Sequence, residues 1–233
     1  MTAGAETTAL RTTLEAFYET VRRRLDQFRQ TERSEAPRFS IFEYIDPDEN
    51  FLSSVIHDLL NPLGKHGQGS LFLQAFLEII DFPLECVRHS VRVKREDPTL
   101  YCSSPARRID ITVEGDDWCI GIENKPFATE GRKQLKDYWI HLRRKYGEQY
   151  RLVYLSGDGS EPVSIGSDDL NELRAAGKFK KLAYPTDLHR WLRRCCDDCE
   201  AGKVRWFLLD FAAFVSRGFE LAEDDTEPDD ETR

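Results

Sequence analysis

Arg108-Ile109-Asp110-Ile111-Thr112-Val113-Glu114-Gly115-Asp116-Asp117-Trp118-Cys119-Ile120-Gly121-Ile122-Glu123-Asn124-Lys125 is the stretch on which the fold turns. Two apolar runs alternate with polar residues at period two, the pattern of half-buried strands, and Gly115-Asp116 suits a two-residue hairpin turn. Pairing Glu114 with Asp117 sets Asp110 opposite Gly121. Alternation then gathers Cys119, Gly121, Glu123, Lys125 and Asp110 on one face, with Ile109, Ile111, Val113, Ile120 and Ile122 on the other. Asp110 and Glu123 become diagonal neighbours, with α-carbons roughly 7–8 Å apart.

Two carboxylates that close can hold one cation. Mg²⁺ fits, with Mn²⁺ able to substitute, because it takes oxygen ligands, keeps several waters and is shared with substrate phosphates. Lys125 stands beside them, and Gly121 is expected to leave room. Such a set suits phosphodiester hydrolysis: the metal activates water and neutralises charge on phosphate, and the lysine orients the water or stabilises the oxyanion. A wet hairpin face is the ordinary explanation of an acid and a lysine two residues apart. Here the second strand is too apolar to be a wet edge, and solvation does not account for Glu123 and Lys125 at its end.

Outward from the hairpin, Leu52, Val55, Ile56 and Leu59 form the buried stripe of a helix that Asn61-Pro62-Leu63-Gly64 stops. Asp46, Pro47 and Glu49 read as N-cap, first helical position and capping box. A second helix spans 70–80, and a strand runs through 87–95 on the alternation of Val91 and Val93. A helix over 130–146 buries Leu135, Tyr138, Trp139 and Leu142. A short strand follows at 151–155, and further helices cover 187–196 and 204–219. The central order of helix, three strands, helix, strand predicts an α/β sandwich on a mixed sheet, with extra N- and C-terminal helices. Leu10, Leu14, Phe17, Val21, Leu25 and Phe28 recur at steps of three and four on a long N-terminal helix. That stripe could pack on the core or pair with another subunit or partner protein; the sequence leaves both open. Residues 32–38 read as a linker.

Ile109-Asp110, a short hairpin and Ile122-Glu123-Asn124-Lys125 resemble the signature of the PD-(D/E)XK nuclease superfamily. Glu49-Asn50-Phe51, Leu59-Leu60-Asn61-Pro62, His66-Gly67-Gln68-Gly69, Pro126 and Gln134-Leu135-Lys136-Asp137-Tyr138 extend the resemblance, in family order, to the bacterial members. The resemblance implies a restriction-endonuclease-like α-β-β-β-α-β core and a nuclease domain over residues 37–220. It implies Asp110, Glu123 and the Asn124 backbone carbonyl as metal ligands and Lys125 as the catalytic lysine. Glu49 would assist the metal from the first core helix, and Gln134 would be aimed at the site by the following helix. Ile109 stands where the motif has proline, a packing position. Proteins of this kind are often encoded near phage-defence systems, so by association the resemblance implies a role in phage defence or DNA processing. The alternatives are an RNA-cleaving nuclease, or a nuclease fold that binds nucleic acid or protein without cutting.

The whole chain carries a formal charge of −9, which argues against a nucleic-acid partner until its distribution is considered. Residues 220–233 hold eight acids and one base, leaving −2 elsewhere; residues 221–233 read as a disordered acidic tail and 1–36 as the N-terminal helix with its linker. Phosphates of a nucleic acid, DNA by the resemblance, could be met by Arg107 and Arg108 before the site and by Lys133 and Lys136 on the following helix. His66 could meet phosphate or backbone from its loop. No apolar run is long enough to span a bilayer and none reads as a signal peptide, so a cytoplasmic protein is expected. Cys195, Cys196 and Cys199 with His189 raise zinc, but no second ligand pair completes a site; packed thiols explain them better.

Overall fold

In a computed structural model, described for residues 3–83, 85, 90–102, 107–127, 131 and 133–222 and for side chains from residue 11 onward, the chain divides after Tyr44 into two compact units. The first holds α1 (Ala3–Glu35), and α2 (Phe42–Ile45) spans the division. Helix α1 runs through residues expected in the linker, because Glu32-Arg33-Ser34-Glu35 contains nothing that breaks a helix. The break comes at Ala36, whose φ is +43 and which precedes Pro37, a position where the helical region is disfavoured.

The second unit orders α3 (Glu49–Leu60), α4 (Leu71–Ile79), β1 (Arg92–Pro98), β2 (Arg108–Glu114), β3 (Cys119–Lys125), α5 (Gln134–Tyr146), β4 (Tyr150–Ser156), α6 (Ser167–Ala175), β5 (Phe179–Ala183), a π-helical turn (Tyr184–Leu188), α7 (His189–Asp198) and α8 (Gly202–Gly218). The sheet order is β1-β2-β3-β4-β5. β1, β2 and β3 pair antiparallel, and β3, β4 and β5 parallel. This is the mixed α/β sandwich that the order of elements predicts. β1 begins at Arg92, later than expected; residues 86–89 lie outside the described part, as do 128–130 and 132 ahead of α5.

α5 and α6 cover one sheet face, where Ile109, Cys119, Leu135, Tyr138, Leu142, Leu152 and Tyr154 share a core. α3 packs on β1, β2 and β3; behind it the Trp191 indole donates to Phe72 O at 2.9 Å, joining α7 to α4. With helices on both faces, all seven residues of β3 are buried, as expected of a central strand next to a parallel neighbour.

Three local expectations are corrected. The N-cap of α3 is Asp48, whose Oδ1 accepts Phe51 N–H at 2.7 Å, so Glu49 is the first helical residue and Asp46, at φ +41, stands outside. The hairpin register is shifted by two: Glu114 pairs with Cys119 and Ile111 with Ile122. The buried Trp118 ring causes the shift by folding over Gly115, where a Cβ would lie 2.1 Å from the indole nitrogen, and it meets Phe82 at 5.3 Å. Continued, this register puts Asp110 directly opposite Glu123 instead of diagonal to it. The third concerns Ile109, which packs with Leu135 and Leu142 rather than with Ile111 and Val113. The β2–β3 ladder stops at Ile111, and the β1–β2 ladder skips Glu96, whose φ is +51. Such a break re-aims the residues beyond it.

At the far end of the hairpin the buried Glu114 carboxylate takes Lys94 at 2.6 Å, Lys145 at 3.1 Å and the Tyr146 hydroxyl at 2.7 Å. Burial alone would raise its pKa; these three donors outweigh burial and hold it at about 2. A folded value below the unfolded one gives stability that is complete above about pH 4.5 and lost as pH falls toward 2. Allowing for the partial exposure of both lysines, we expect about 2 kcal/mol. Urea unfolding of Glu114→Gln beside wild type is expected to show that gap near pH 7, a narrowing below about pH 4.5 and closure only as pH approaches 2. A gap that does not change with pH would contradict the assignment.

No helix among the described residues is long and apolar enough to cross a membrane. Cys195, Cys196 and Cys199 are buried, and the last two turn their thiols to the carbonyls of Arg205 and Ala201. Among the described residues no three His, Cys, Asp or Glu side chains form a ready metal cluster; Cys86 lies outside them. Of the acidic tail, residues 223–233 also lie outside, and Ala222 N–H donates to Asp158 O at 2.8 Å.

Candidate active site

The carboxyl end of β3 carries Glu123, Asn124 and Lys125, with 0%, 0% and 9% of their surface exposed. Asp110 reaches them from β2. Where the β2–β3 ladder ends, its side chain takes over the pairing: Oδ2 accepts Asn124 N–H at 2.8 Å. Glu123 has both carboxylate oxygens buried without a hydrogen-bond partner among the described residues. Lys125 Nζ lies 2.9 Å from Oε1 as an ion pair but off hydrogen-bond alignment. The same ammonium donates to Glu49 Oε1 at 2.7 Å, so Glu49 at the start of α3 is tied to the site and not to a capping role.

The electrostatics follow from this crowding. Burial first, then the like charge of Asp110, push the Glu123 carboxyl well above the usual range against the pull of Lys125. Asp110 is also raised, by burial and by Glu49, although the Asn124 N–H and Lys125 oppose the shift. For Lys125, burial would lower the pKa, but Glu123, Glu49 and Asp110 raise it, and it stays protonated. Three acids thus share one base, and the deepest acid is buried with the Lys125 ion pair but no aligned hydrogen bond among the described residues. A hard divalent cation relieves such an arrangement, since the donors are all oxygen and the local charge is negative. The residues present fit the metal expected from the sequence.

A second layer fixes the strand end. The buried Asn124 amide donates to Ser53 Oγ of α3 at 2.9 Å and accepts from the Tyr184 hydroxyl at 2.8 Å. Tyr184 is fully buried at the start of the π-helical turn. On the other side, the Tyr138 hydroxyl donates to Arg108 O and accepts from Gln134 Nε2 at 2.9 Å. Ser53, Tyr138 and Tyr184 were not picked out as site residues. Ser53 and Tyr138 carried a signal, a polar group on a buried helical stripe; Tyr184 carried none.

Asp110, Glu123, Lys125 and Glu49 therefore come together, and Gln134 stands one side chain away, behind Tyr138. The expected phosphate contacts are placed differently. Arg107 pairs with Asp137 at 2.7 Å, Arg108 with Glu96 at 2.8 Å and Lys136 with Asp169 at 2.6 Å; Lys133 is exposed just before α5. His66 is buried in the loop after α3, its Nδ1 accepting Gln68 N–H at 3.0 Å. Nε2 must then hold the proton that it donates to Asn61 O at 2.9 Å, so both ring nitrogens serve the loop. Nor does Gly121 open space beside the carboxylates. Leu142 of α5 fills it, within 3.0 Å of where a Cβ would stand.

One depression reaches the site at Lys125, and a second lies farther along α3. The first, about 460 Å³, lies at the carboxyl ends of β3 and β4, where Lys125, Tyr154, Ser156, Phe127 and Phe219 line it; the two phenyl rings stack at 5.3 Å. The second, about 710 Å³, follows α3 and is lined by Lys65, Arg95, Lys203, His57 and His66 against one acid, Asp58. Arg95 reaches α3 at Ser54 and Asn50, next to Glu49. None of these three cations forms an ion pair among the described residues.

No curated protein and no solved structure shows a significant match to the chain. A family model described as the PD-(D/E)XK nuclease superfamily matches residues 39–213, which includes every element of the site. On that match, the chain belongs to the PD-(D/E)XK nuclease superfamily.

Proposed function

We propose that this nuclease hydrolyses phosphodiester bonds of DNA with Mg²⁺, Mn²⁺ substituting, and that Asp110, Glu123 and Lys125 do the chemistry. One observation carries the reading: the Glu123 carboxylate is wholly buried, lacks a hydrogen-bond partner among the described residues and lies beside Asp110. Asp110 and Glu123 would hold the cation, assisted by Glu49 and the Asn124 backbone carbonyl. When bound, it supplies charge to the phosphate and makes water a competent nucleophile near neutral pH. Lys125, protonated and aimed by Glu49, donates to the attacking water or to the phosphoryl oxygens. Gln134 steadies Tyr138 behind Glu123 and acts as a positioning residue. DNA, and a role in phage defence or DNA processing, rest on the resemblance of the motif set alone; the cytoplasmic setting rests on the apolar runs of the sequence.

The strand's path follows from the unpaired cations. Lys65, Arg95 and Lys203 in the depression along α3 are not neutralised by an acid among the described residues, Arg95 being held by Ser54 and Asn50. They are better placed to meet phosphates than Arg107, Arg108 and Lys136, which are ion-paired. Glu49 and His57 lie two helical turns apart on α3, about 12 Å, so the cations continue outward from the carboxylates. On the other flank the exposed Phe127 ring offers a base a face to stack on.

The deciding experiment incubates full-length protein with supercoiled plasmid, linear duplex, single strands and RNA, each with Mg²⁺, Mn²⁺ or excess EDTA. DNA is expected to be cut with either metal and to survive in EDTA. Cutting of RNA alone would replace the substrate. Cutting indifferent to EDTA, or none on any substrate, would remove the reading.

A further inference from the structure

Helix α1 presents Leu14, Phe17, Val21, Leu25 and Phe28 along one side, exposed from 37% at Val21 to 67% at Phe17. A row of large apolar side chains on a helix needs a cover. The spacing of this row limits what the cover can be. Over the described side chains, Leu14 to Phe28, its steps are three, four, four and three, so these five positions are symmetric about Val21: Leu14 mirrors Phe28, and Phe17 mirrors Leu25. Leu10, which begins the stripe in sequence, lies outside the symmetric set, with Glu32 at its mirror position. A two-fold axis through Val21 maps the row onto itself with the helix reversed, which is the condition for a self-complementary contact. The mean step of 3.5 residues also keeps the seam on one side of a left-handed pair.

The charges on α1 choose the direction. Residues 11–20 carry Arg11, Glu15 and Glu19, net −1, and residues 22–31 carry Arg22, Arg23, Arg24, Asp26 and Arg29, net +3. A parallel pair would stack two clusters of three arginines side by side. An antiparallel pair lays the acidic half on the basic half. The same axis relates Glu19 to Arg23 and Tyr18 to Arg24, an opposite-charge match and a cation–ring match at equal offsets from Val21. The exposed large apolar side chains of the second unit, such as Leu63, Leu100, Val163 and Trp206, come from separate segments and repeat no such spacing.

We infer that α1 is the dimerisation element of this protein, pairing antiparallel with α1 of a second copy about an axis at Val21. This rests on the first unit alone and is independent of the reading of the active site. Ten large apolar side chains would close into one seam, joining two catalytic units.

Light scattering after gel filtration of the full-length protein, at about 10 µM, is expected to give the mass of a dimer. Val21→Glu sets two like charges on the axis and is expected to return the monomer with an unchanged far-ultraviolet spectrum. Orientation is read by oxidative cross-linking, with wild type setting the background from its own cysteines. Leu14→Cys mixed with Phe28→Cys is expected to link, and Leu14→Cys alone is not. A monomeric wild type, a Val21→Glu protein that stays dimeric, or efficient self-linking of Leu14→Cys would each overturn the proposal.

Discussion

The Asp110→Asn protein is expected to fold as wild type and to cleave DNA more slowly by roughly 10³-fold, the scale on which losing a group that stabilises transition-state charge acts. Folding is safe because asparagine keeps the oxygen that accepts Asn124 N–H. The substitution also removes the charge that, after burial, most raises Glu123, so the metal-free variant is expected to melt no lower than wild type. What it loses is one of two negative ligands, so the Mg²⁺ midpoint is expected to rise together with the fall in rate. Cleavage rate, metal titration and thermal melting on one preparation separate these effects. Cleavage at the wild-type rate would sink the nuclease assignment at this site.

Lys125→Ala is expected to behave oppositely in two of the three measurements. The ammonium is the counter-charge between Glu123 and Glu49. Removing it strands an acid in the core, a change that costs about 3–5 kcal/mol when nothing else adjusts. Burial and Asp110 already raise the Glu123 carboxyl, so it limits the loss by taking up a proton, and the metal-free variant melts lower but still folds. Cation binding keeps both carboxylates and loses a repelling charge, so its midpoint stays or falls. The chemical step loses the donor to water or phosphoryl oxygen and is expected to slow by about 10²–10⁴-fold. If Lys125→Ala weakens cation binding as much as Asp110→Asn does, the lysine acts through the ligands and its separate role is wrong.

The contrast between Glu123 and Glu49 shows how far the sequence could be read. Alternation in the hairpin was enough to bring Asp110 to Glu123, because a register error of two residues preserves faces. The error itself lay beyond local pattern: Gly115-Asp116 is a good turn by its residues, and only the burial of Trp118 against Phe82 and Gly115 moves the pairing. Ile109 followed alternation on paper but not in the fold, since the ladder on both its sides fails nearby. Glu49 looked like a helix cap; its partner Lys125 is 76 residues away, a separation that no helical or strand period encodes. The ion pairs of Arg107, Arg108 and Lys136 were out of reach for the same reason, since Asp137, Glu96 and Asp169 meet them only in three dimensions.

The placement of Glu123 within β3 sets stability against use. Every residue of that strand is buried, so a leucine at position 123 would be welcomed by the core and an acid is tolerated at a cost. Drift toward a more robust fold would therefore erase the deepest carboxylate first, and stabilised descendants of this chain would be expected to emerge as inert scaffolds. An engineer seeking a hardier enzyme should leave the carboxyl end of β3 alone and look to surfaces remote from it, where gains in robustness are not taken from turnover.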